Sequence, residues 1–251
     1  MQITIKTGNY KDELIRANAK HIADLNQALR SLEDGSFVVR ADKSNPKGLF
    51  QIEYAGVNTT DDAEQRQVIK CFKASIGEFI TFLDRMIAIT MVGEEGIPVK
   101  KPVIGEVRIL EFVTEYINKK IRSVARNISL SNPKKLDKFY NLTPDIKKAL
   151  NGYFAIRRAL EHHSGIPDQD IEFITLSLKV FVDETEVTKL PFPVKEGQAV
   201  QTRIVKESKI LKAEEKINLI ESDLRKAVFT MEQVASSEVV AIVHNSFKHI
   251  D

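Results

Sequence analysis

The chain has 251 residues, of which 43% are hydrophobic and 29% charged, a composition typical of a globular protein with a sizeable core. Its single cysteine, Cys71, excludes an internal disulfide and a thiolate metal cluster. There is no apolar run of the length that a signal peptide or a membrane span needs, and no phosphate-loop or dinucleotide-binding motif. We therefore expect a soluble, cytoplasmic protein with no membrane partner and no cofactor.

The net charge of +2 hides an uneven distribution. Residues 99–158 contain fourteen Lys and Arg against five acids, which leaves 23 basic and 30 acidic residues elsewhere. A basic middle in an otherwise acidic chain indicates a phosphate-binding surface. The alternative is that these cations are simply the solvated faces of helices.

The first 60 residues predict a helix-plus-hairpin extension. Apolar residues at helical spacing favour a helix over about 11–32. Two short strands, 37–39 and 49–54, flank the turn-rich stretch 42–48. We place a domain boundary after this unit, with residues 61–251 forming the main domain.

Two long helices open that main domain. The first, 61–92, starts at a capping-box pattern of Asp61 and Glu64, and its apolar side is wide enough for the middle of a bundle. The second, 107–128, turns one face to a core, and a turn and a short helix over 134–140 follow it. The outer face of the second helix is basic and carries Lys119, Lys120, Arg122 and Arg126.

The next helix has clear start and stop signals. Thr143 is a suitable N-cap before Pro144, and Gly165 with Pro167 ends the helix after about His163. Alternating residues then predict strands at 174–182, 186–190 and 199–205, and a closing helix spans 222–247. The fold class is mainly α: a helical bundle with a small antiparallel β segment, plus the N-terminal α+β extension.

The last turns of the Pro144 helix combine arginine and histidine. Arg157 falls inside the apolar stripe of this helix, while Arg158 and His162 are four residues apart on its flank, next to His163. A structural explanation exists for each type: a buried arginine pairs with a carboxylate from a neighbouring helix, and a terminal histidine is often a cap. Candidate carboxylates are Glu78, Asp84 and Glu111.

The stretch Arg157-Arg-Ala-Leu-Glu-His162-His-Ser-Gly-Ile resembles the Arg-Xaa4–6-His motif of the HEPN family (higher eukaryote and prokaryote nucleotide-binding). The resemblance covers residues 61–247. It implies a metal-independent endoribonuclease that acts as a homodimer, in which two motif helices form a shared cleft. Arg157 would hold the phosphoryl oxygens and His162 would act as base or acid. The implied substrate-binding residues are Arg158, His163, Lys119, Lys120, Arg122 and Arg126.

The motif departs from the family in two ways. Arg158 stands where Asn is common, and the doubled residues allow Arg158 with His163 as an alternative register to Arg157 with His162. The expected partners are RNA, a second copy of the chain and, for a toxin or phage-defence effector, an antitoxin or regulator. Two other functions stay open: a non-catalytic HEPN-like module that binds nucleotide, RNA or a protein, and a metal hydrolase that uses His162, His163 and an acid.

Overall fold

The computed structural model describes residues 8–33, 39–41, 50–52, 60–97, 106–127, 129–139, 142–187 and 199–237. About 66% of these residues are helical, and the rest include a small antiparallel sheet, so the chain is mainly α as predicted. In chain order the elements are α1 (Gly8–Glu33), β1 (Val39–Ala41), β2 (Phe50–Ile52), α2 (Thr60–Glu95), α3 (Glu106–Arg126), α4 (Asn132–Leu136), α5 (Pro144–His162), β3 (Ile171–Val182), β4 (Thr185–Val187), β5 (Val200–Leu211) and α6 (Glu221–Ser237).

The helix α2 lies at the centre of the bundle. Its buried side chains include Phe72, Phe79 and Leu83, and it packs against the other five helices of the described ranges. Apolar residues cover more than one face of α2, so neighbours on several sides are needed to remove them from water. The prediction of a central helix is confirmed, and the helix extends to Glu95 rather than residue 92.

The first helix is part of the same core. Leu14 and Leu25 are 3% and 1% exposed, and α1 packs on both α2 and α6. Helix α2 starts at Thr60, and the division of the chain into two domains after residue 60 stays a prediction. Strands β1 and β2 form an antiparallel pair, with Val39 opposite Ile52. The predicted strand residues 37, 38, 49, 53 and 54 lie outside the described residues.

The third helix packs mainly on α2, through a stripe that buries Ile117 and Val124. Val113, Ile117 and Val124 are buried at helical spacing while Lys119, Arg122 and Arg126 are exposed, so the described side chains separate into an apolar and a basic face as predicted. Among the described residues, no helix combines the length and apolarity that crossing a bilayer would require.

The two helices that follow each have a proline in their first turn. In α4, Pro133 lies in the first turn, so the helix starts at Asn132 and ends at Leu136, earlier than the predicted 134–140. In α5 the Thr143 Oγ1 accepts the Ile146 N–H at 3.3 Å, as predicted for an N-cap. Proline fits the first helical position because it has no N–H to leave unpaired.

The sheet has the order β4-β3-β5, and all its pairs are antiparallel. Strands β3 and β5 pair along twelve residues, from Ile171 opposite Leu211 to Val182 opposite Val200. Strand β3 starts at Ile171, three residues before the prediction. The predicted end of the last strand at residue 205 is wrong, because β5 continues to Leu211. The predicted strand 186–190 begins at Thr185, and residues 188–190 lie outside the described ranges.

Charged side chains explain why the second half of β5 was missed. Lys206, Lys209 and Glu207 break the apolar alternation, but each pairs with a residue of α5 or α6 in the folded chain. Ion pairs with neighbouring helices thus replace apolar burial along this part of the strand. The closing helix α6 is described to Ser237, and residues 238–247 of its predicted length lie outside the description.

The helix α5 packs closely on β3. A Cβ added at Gly152 would lie 2.1 Å from the Cβ of Phe173, so only a glycine allows this approach. On the same inner side of α5, Leu150, Tyr153 and Ile156 are almost fully buried. Burial raises the pKa of the Tyr153 phenol. This contact holds one side of α5 against the sheet and leaves the opposite flank for a cleft.

Candidate active site

The second half of α5 forms one wall of an open cleft of about 530 Å³. The four candidate residues of the motif, Arg157, Arg158, His162 and His163, all line it. The lining residues from other parts of the chain are Ile80, Ser131, Asn132, Pro133, Pro167, Asp168, Gln169 and Ile171. The structure therefore brings the motif of α5, the start of α4 and the segment before β3 to one place.

Arg157 is half-buried and paired. Its Nε donates a hydrogen bond to Glu161 Oε1 at 2.9 Å, and the two side chains are 24% and 30% exposed. The guanidinium also lies against Gly77 of α2, where an added Cβ would be 3.2 Å from Nη1. The expected partner from a neighbouring helix is thus replaced by a carboxylate on the same helix, one turn further on.

Arg158 and His162 lie on the exposed flank of α5. Both side chains are exposed, and they are four residues apart, which places them next to each other on the helix surface. Within the described residues neither side chain has an acidic partner or a side-chain hydrogen bond. A cation and an imidazole that are not already paired are available to a ligand in the cleft.

The end of α5 is fixed by backbone hydrogen bonds. The Ala159 carbonyl accepts the N–H of His163 and that of Gly165, both at 3.0 Å. Gly165 has a φ of 78°, a left-handed conformation that suits glycine, and its own carbonyl accepts the Ile217 N–H at 2.8 Å. Gln65 of α2 donates in turn to the Ile217 carbonyl at 2.9 Å. His162 and His163 therefore lie at a helix end that hydrogen bonds connect, through Ile217, to α2.

The predicted cations of α3 are not among the described residues that line this cleft. Lys119, Arg122 and Arg126 are exposed, and Arg126 lies five residues before Ser131 of the cleft wall. Lys120 pairs with Glu95, and the hydrogen bond to that carboxylate raises the pKa of Lys120.

Lys120 lies far from the motif arginine. Glu95 is eighteen residues beyond Gly77 on α2, about 27 Å along the helix at 1.5 Å per residue. The structure does not bring Lys120 to the motif, although both were predicted as parts of one site.

A second groove extends the cleft along α5. It measures about 540 Å³ and shares Asn151, Ala155, Gln169 and Ile171 with the first. Lys148 lines it and pairs with Glu172 at 2.7 Å, a contact that lowers the pKa of the Glu172 carboxyl. The two spaces therefore adjoin each other along α5.

A buried ion pair that was not predicted from the sequence lies behind the cleft wall. Lys135 of α4 and Asp84 of α2 lie 2.5 Å apart, with side chains only 5% and 7% exposed. Burial raises the pKa of the Asp84 carboxyl, and the Lys135 ammonium opposes that shift. Asp84 was considered only as a partner for Arg157. The one signal for Lys135 was its place beside Leu136, which is fully buried.

In the described ranges, no group of three His, Cys, Asp or Glu side chains is arranged to hold a metal ion. His162 and His163 are both exposed, and adjacent residues of a helix point about 100° apart. The metal-hydrolase alternative therefore has no ligand set in this part of the chain.

No family model, curated protein or solved structure matches the chain. The chemistry of the cleft is set by its own side chains. Its ionisable side chains are two arginines, two histidines and two carboxylates, of which Glu161 is paired with Arg157 and Asp168 lies next to Pro167 at the segment before β3.

Proposed function

We propose that the chain is a metal-independent endoribonuclease of the HEPN type that acts at the cleft beside α5. One observation carries this proposal: Arg158 and His162 face an open cleft, side by side, without an acidic partner among the described residues. An unpaired guanidinium next to an imidazole favours a phosphodiester ligand, because it offers charge, hydrogen bonds and a proton carrier together.

The reaction needs no group beyond these residue types. The ribose 2′-oxygen attacks the adjacent phosphorus, the bond from phosphorus to the 5′-oxygen breaks, and a 2′,3′-cyclic phosphate and a 5′-hydroxyl result. Histidine takes the proton of the 2′-hydroxyl or supplies one to the leaving oxygen. Arginine stabilises the charge that develops on the phosphoryl oxygens through paired hydrogen bonds.

The shape of the site supports a single-stranded substrate. The two adjoining grooves, which we take together as one channel, are lined by α5 residues between Pro144 and His162, nineteen residues or about 28 Å of helix. An extended strand of several nucleotides fits along such a channel, with one phosphate at the arginine end. The exposed cations Arg122 and Arg126 of α3 lie on the chain segment leading to the cleft wall and would attract the rest of the RNA.

The HEPN resemblance adds a homodimer, in which the cleft-side flanks of two α5 helices meet. It favours a cytoplasmic toxin or phage-defence effector that is held in check by an antitoxin or another regulator. The exposed flank of α5 is compatible with such a contact, since its cleft-facing side chains are not covered by other described residues.

The decisive experiment is cleavage of total cellular RNA by the purified chain in excess EDTA. We expect fragments with 2′,3′-cyclic phosphate ends, and we expect them to disappear in His162→Ala. Arg66→Ala is the matched control, because it removes an exposed cation of α2 outside the cleft. Intact RNA with the folded wild-type protein, or full activity of His162→Ala, would overturn the proposal.

A non-catalytic binding module is the second candidate. The Arg157–Glu161 ion pair favours it, because the motif arginine already has a structural partner. This function predicts that the wild-type chain binds single-stranded RNA and leaves it uncut. Binding that is lost in Arg158→Ala, without any cleavage by the wild type, would support this module over the nuclease.

A further inference from the structure

We infer that Arg158, and not Arg157, is the arginine that contacts phosphate in the cleft, and that Arg157 is a positioning residue that neutralises Glu161. This inference rests on the proposed function for the identity of the ligand, a nucleic acid phosphate. It changes the register expected from the motif, in which Arg157 and His162 form the working pair.

The first reason is that the guanidinium of Arg157 is already held on two sides. Its Nε bonds to Glu161 at 2.9 Å, and its Nη1 lies against the backbone of α2 at Gly77. With its Nε bonded to Glu161 and 24% of the side chain exposed, Arg157 offers the cleft fewer free donors and less accessible surface than Arg158 does. Turning it toward a ligand would break its ion pair and leave the Glu161 carboxylate uncompensated.

The second reason is that Arg158 has neither an ion pair with a carboxylate nor a close contact with α2 among the described residues. It is exposed, lies one turn before His162 on the same flank of α5, and lines the cleft together with the small side chain of Ala155. Arginine in this position can present two parallel N–H groups to phosphate oxygens.

The third reason is the charge of Glu161. This carboxylate lines the cleft next to His162, where it would repel a phosphate if it were not neutralised. The ion pair with Arg157 removes most of that repulsion. Arg157 therefore acts on the ligand through Glu161, and its loss should be compensated by removing the negative charge of Glu161.

The test measures binding of a fluorescent single-stranded DNA oligonucleotide, which lacks the 2′-hydroxyl and cannot be cut by the proposed chemistry. Four variants are compared with the wild type at low salt: Arg158→Gln, Arg157→Gln, the double variant Arg157→Gln/Glu161→Gln, and the control Arg66→Gln. Thermal melts of each variant confirm that it is folded.

We expect Arg158→Gln to weaken binding about tenfold with an unchanged melting temperature, since a charged hydrogen bond is lost. Arg157→Gln should weaken binding about threefold, and the double variant should restore it to near the wild-type level. Arg66→Gln should bind as the wild type does. The inference is overturned if Arg157→Gln weakens binding more than Arg158→Gln does, or if the double variant is no better than Arg157→Gln.

RNA cleavage by the same variants separates this inference from the proposed function. Wild-type protein that binds the DNA oligonucleotide through Arg158 but cuts no RNA would reject the nuclease and leave the assignment of Arg158 standing. Cleavage that depends on Arg157 and survives in Arg158→Gln would reject the assignment and leave the nuclease standing. A wild-type chain that neither binds the oligonucleotide nor cuts RNA would reject both.

Discussion

Two cations in neighbouring parts of the molecule differ in burial and in pairing. Lys135, behind the cleft wall, is 4% exposed and lies 2.5 Å from Asp84. Arg158, on the open side of the same cleft, is exposed and has no acidic partner in the described part of the chain. Both occur in the basic middle of the sequence, so the local excess of charge does not distinguish them.

The difference shows which charges serve the fold and which are available for a ligand. Removing Lys135 from water is tolerable only because a carboxylate meets it, and the pair connects α4 to α2. Arg158 keeps its hydration, so it contributes little to folding and stays available to the ligand that we propose. Variants on the two sides of the cleft wall should therefore separate stability from ligand affinity.

The largest expected effect is at the buried pair. Asp84→Asn leaves the Lys135 ammonium buried without a counter-charge, and we expect a loss of about 3–5 kcal/mol of unfolding free energy. Chemical denaturation measures this. The double variant Asp84→Leu/Lys135→Met should recover most of the loss, because apolar side chains of similar size need no partner. A single variant as stable as the wild type would contradict the importance of the pair.

A smaller loss is expected where α5 meets the sheet. An alanine normally stabilises a helix more than a glycine does. At position 152, however, its Cβ would collide with Phe173, so we expect Gly152→Ala to lower the unfolding free energy by about 2–3 kcal/mol. Gly77→Ala is the matched control. There the new Cβ meets only the movable end of Arg157, at 3.2 Å, and the change should be nearly neutral. Equal thermal stability of the two variants would contradict the close packing of α5 on β3.

Replacing Glu232 of α6 by Gln should raise the unfolding free energy by about 1 kcal/mol at neutral pH. The Glu232 carboxyl is partly buried, and its neighbour is Asn18 rather than a cation. Burial raises the pKa of Glu232, and the neighbouring amide of Asn18 opposes the shift. The folded chain therefore binds this proton more tightly than the unfolded chain. Stability is retained below the unfolded pKa and falls as the pH rises through the folded one.

Glu232→Gln removes this loss of stability at higher pH, because the amide does not ionise. Its advantage over the wild type should be absent near pH 4 and should grow toward pH 7, as measured by urea denaturation at several pH values. The exposed Glu64→Gln of α2 serves as the control and should show no such trend. A Glu232→Gln variant that is less stable than the wild type at neutral pH would disprove the assigned burial cost.

The smallest effect on stability is expected for the half-exposed pair of α5. Arg157→Gln, Glu161→Gln and the double variant form a thermodynamic cycle, and we expect a coupling free energy of about 0.3–0.5 kcal/mol because water screens the pair. Thermal melts at low and high salt should show the coupling shrink as salt is added. A coupling of several kcal/mol would mean that this pair behaves like Lys135–Asp84.

The parts of the fold that could be predicted are those with strong local signals. Thr143 and Pro144 mark the start of α5 by a local hydrogen bond and a fixed φ angle, and the apolar sides of α2 predict its central place. The second half of β5 could not be predicted, because its lysines are matched by acids that are distant in the sequence.

The candidate site, like the fold, could be predicted only where the signals are local in the sequence. Local spacing was enough to put Arg158 and His162 on one flank of α5, and the structure places both at the cleft. The partner of Arg157 was sought on other helices, although Glu161 lies one turn away. The burial of Lys135 depends on how α4 sits against α2, which a single sequence does not encode in any short-range pattern.

The hydrogen bonds that run from Gln65 through Ile217 to Gly165 have a consequence for how the protein is made. They join α2 and the end of α5 to a segment that the ribosome produces only later, 152 residues after Gln65. During synthesis α2 and α5 can pair early, while the turn after His163 still lacks its anchor. The cleft is therefore completed late in translation, after residue 217 has emerged, and a nascent chain shorter than this carries the motif without its finished rim.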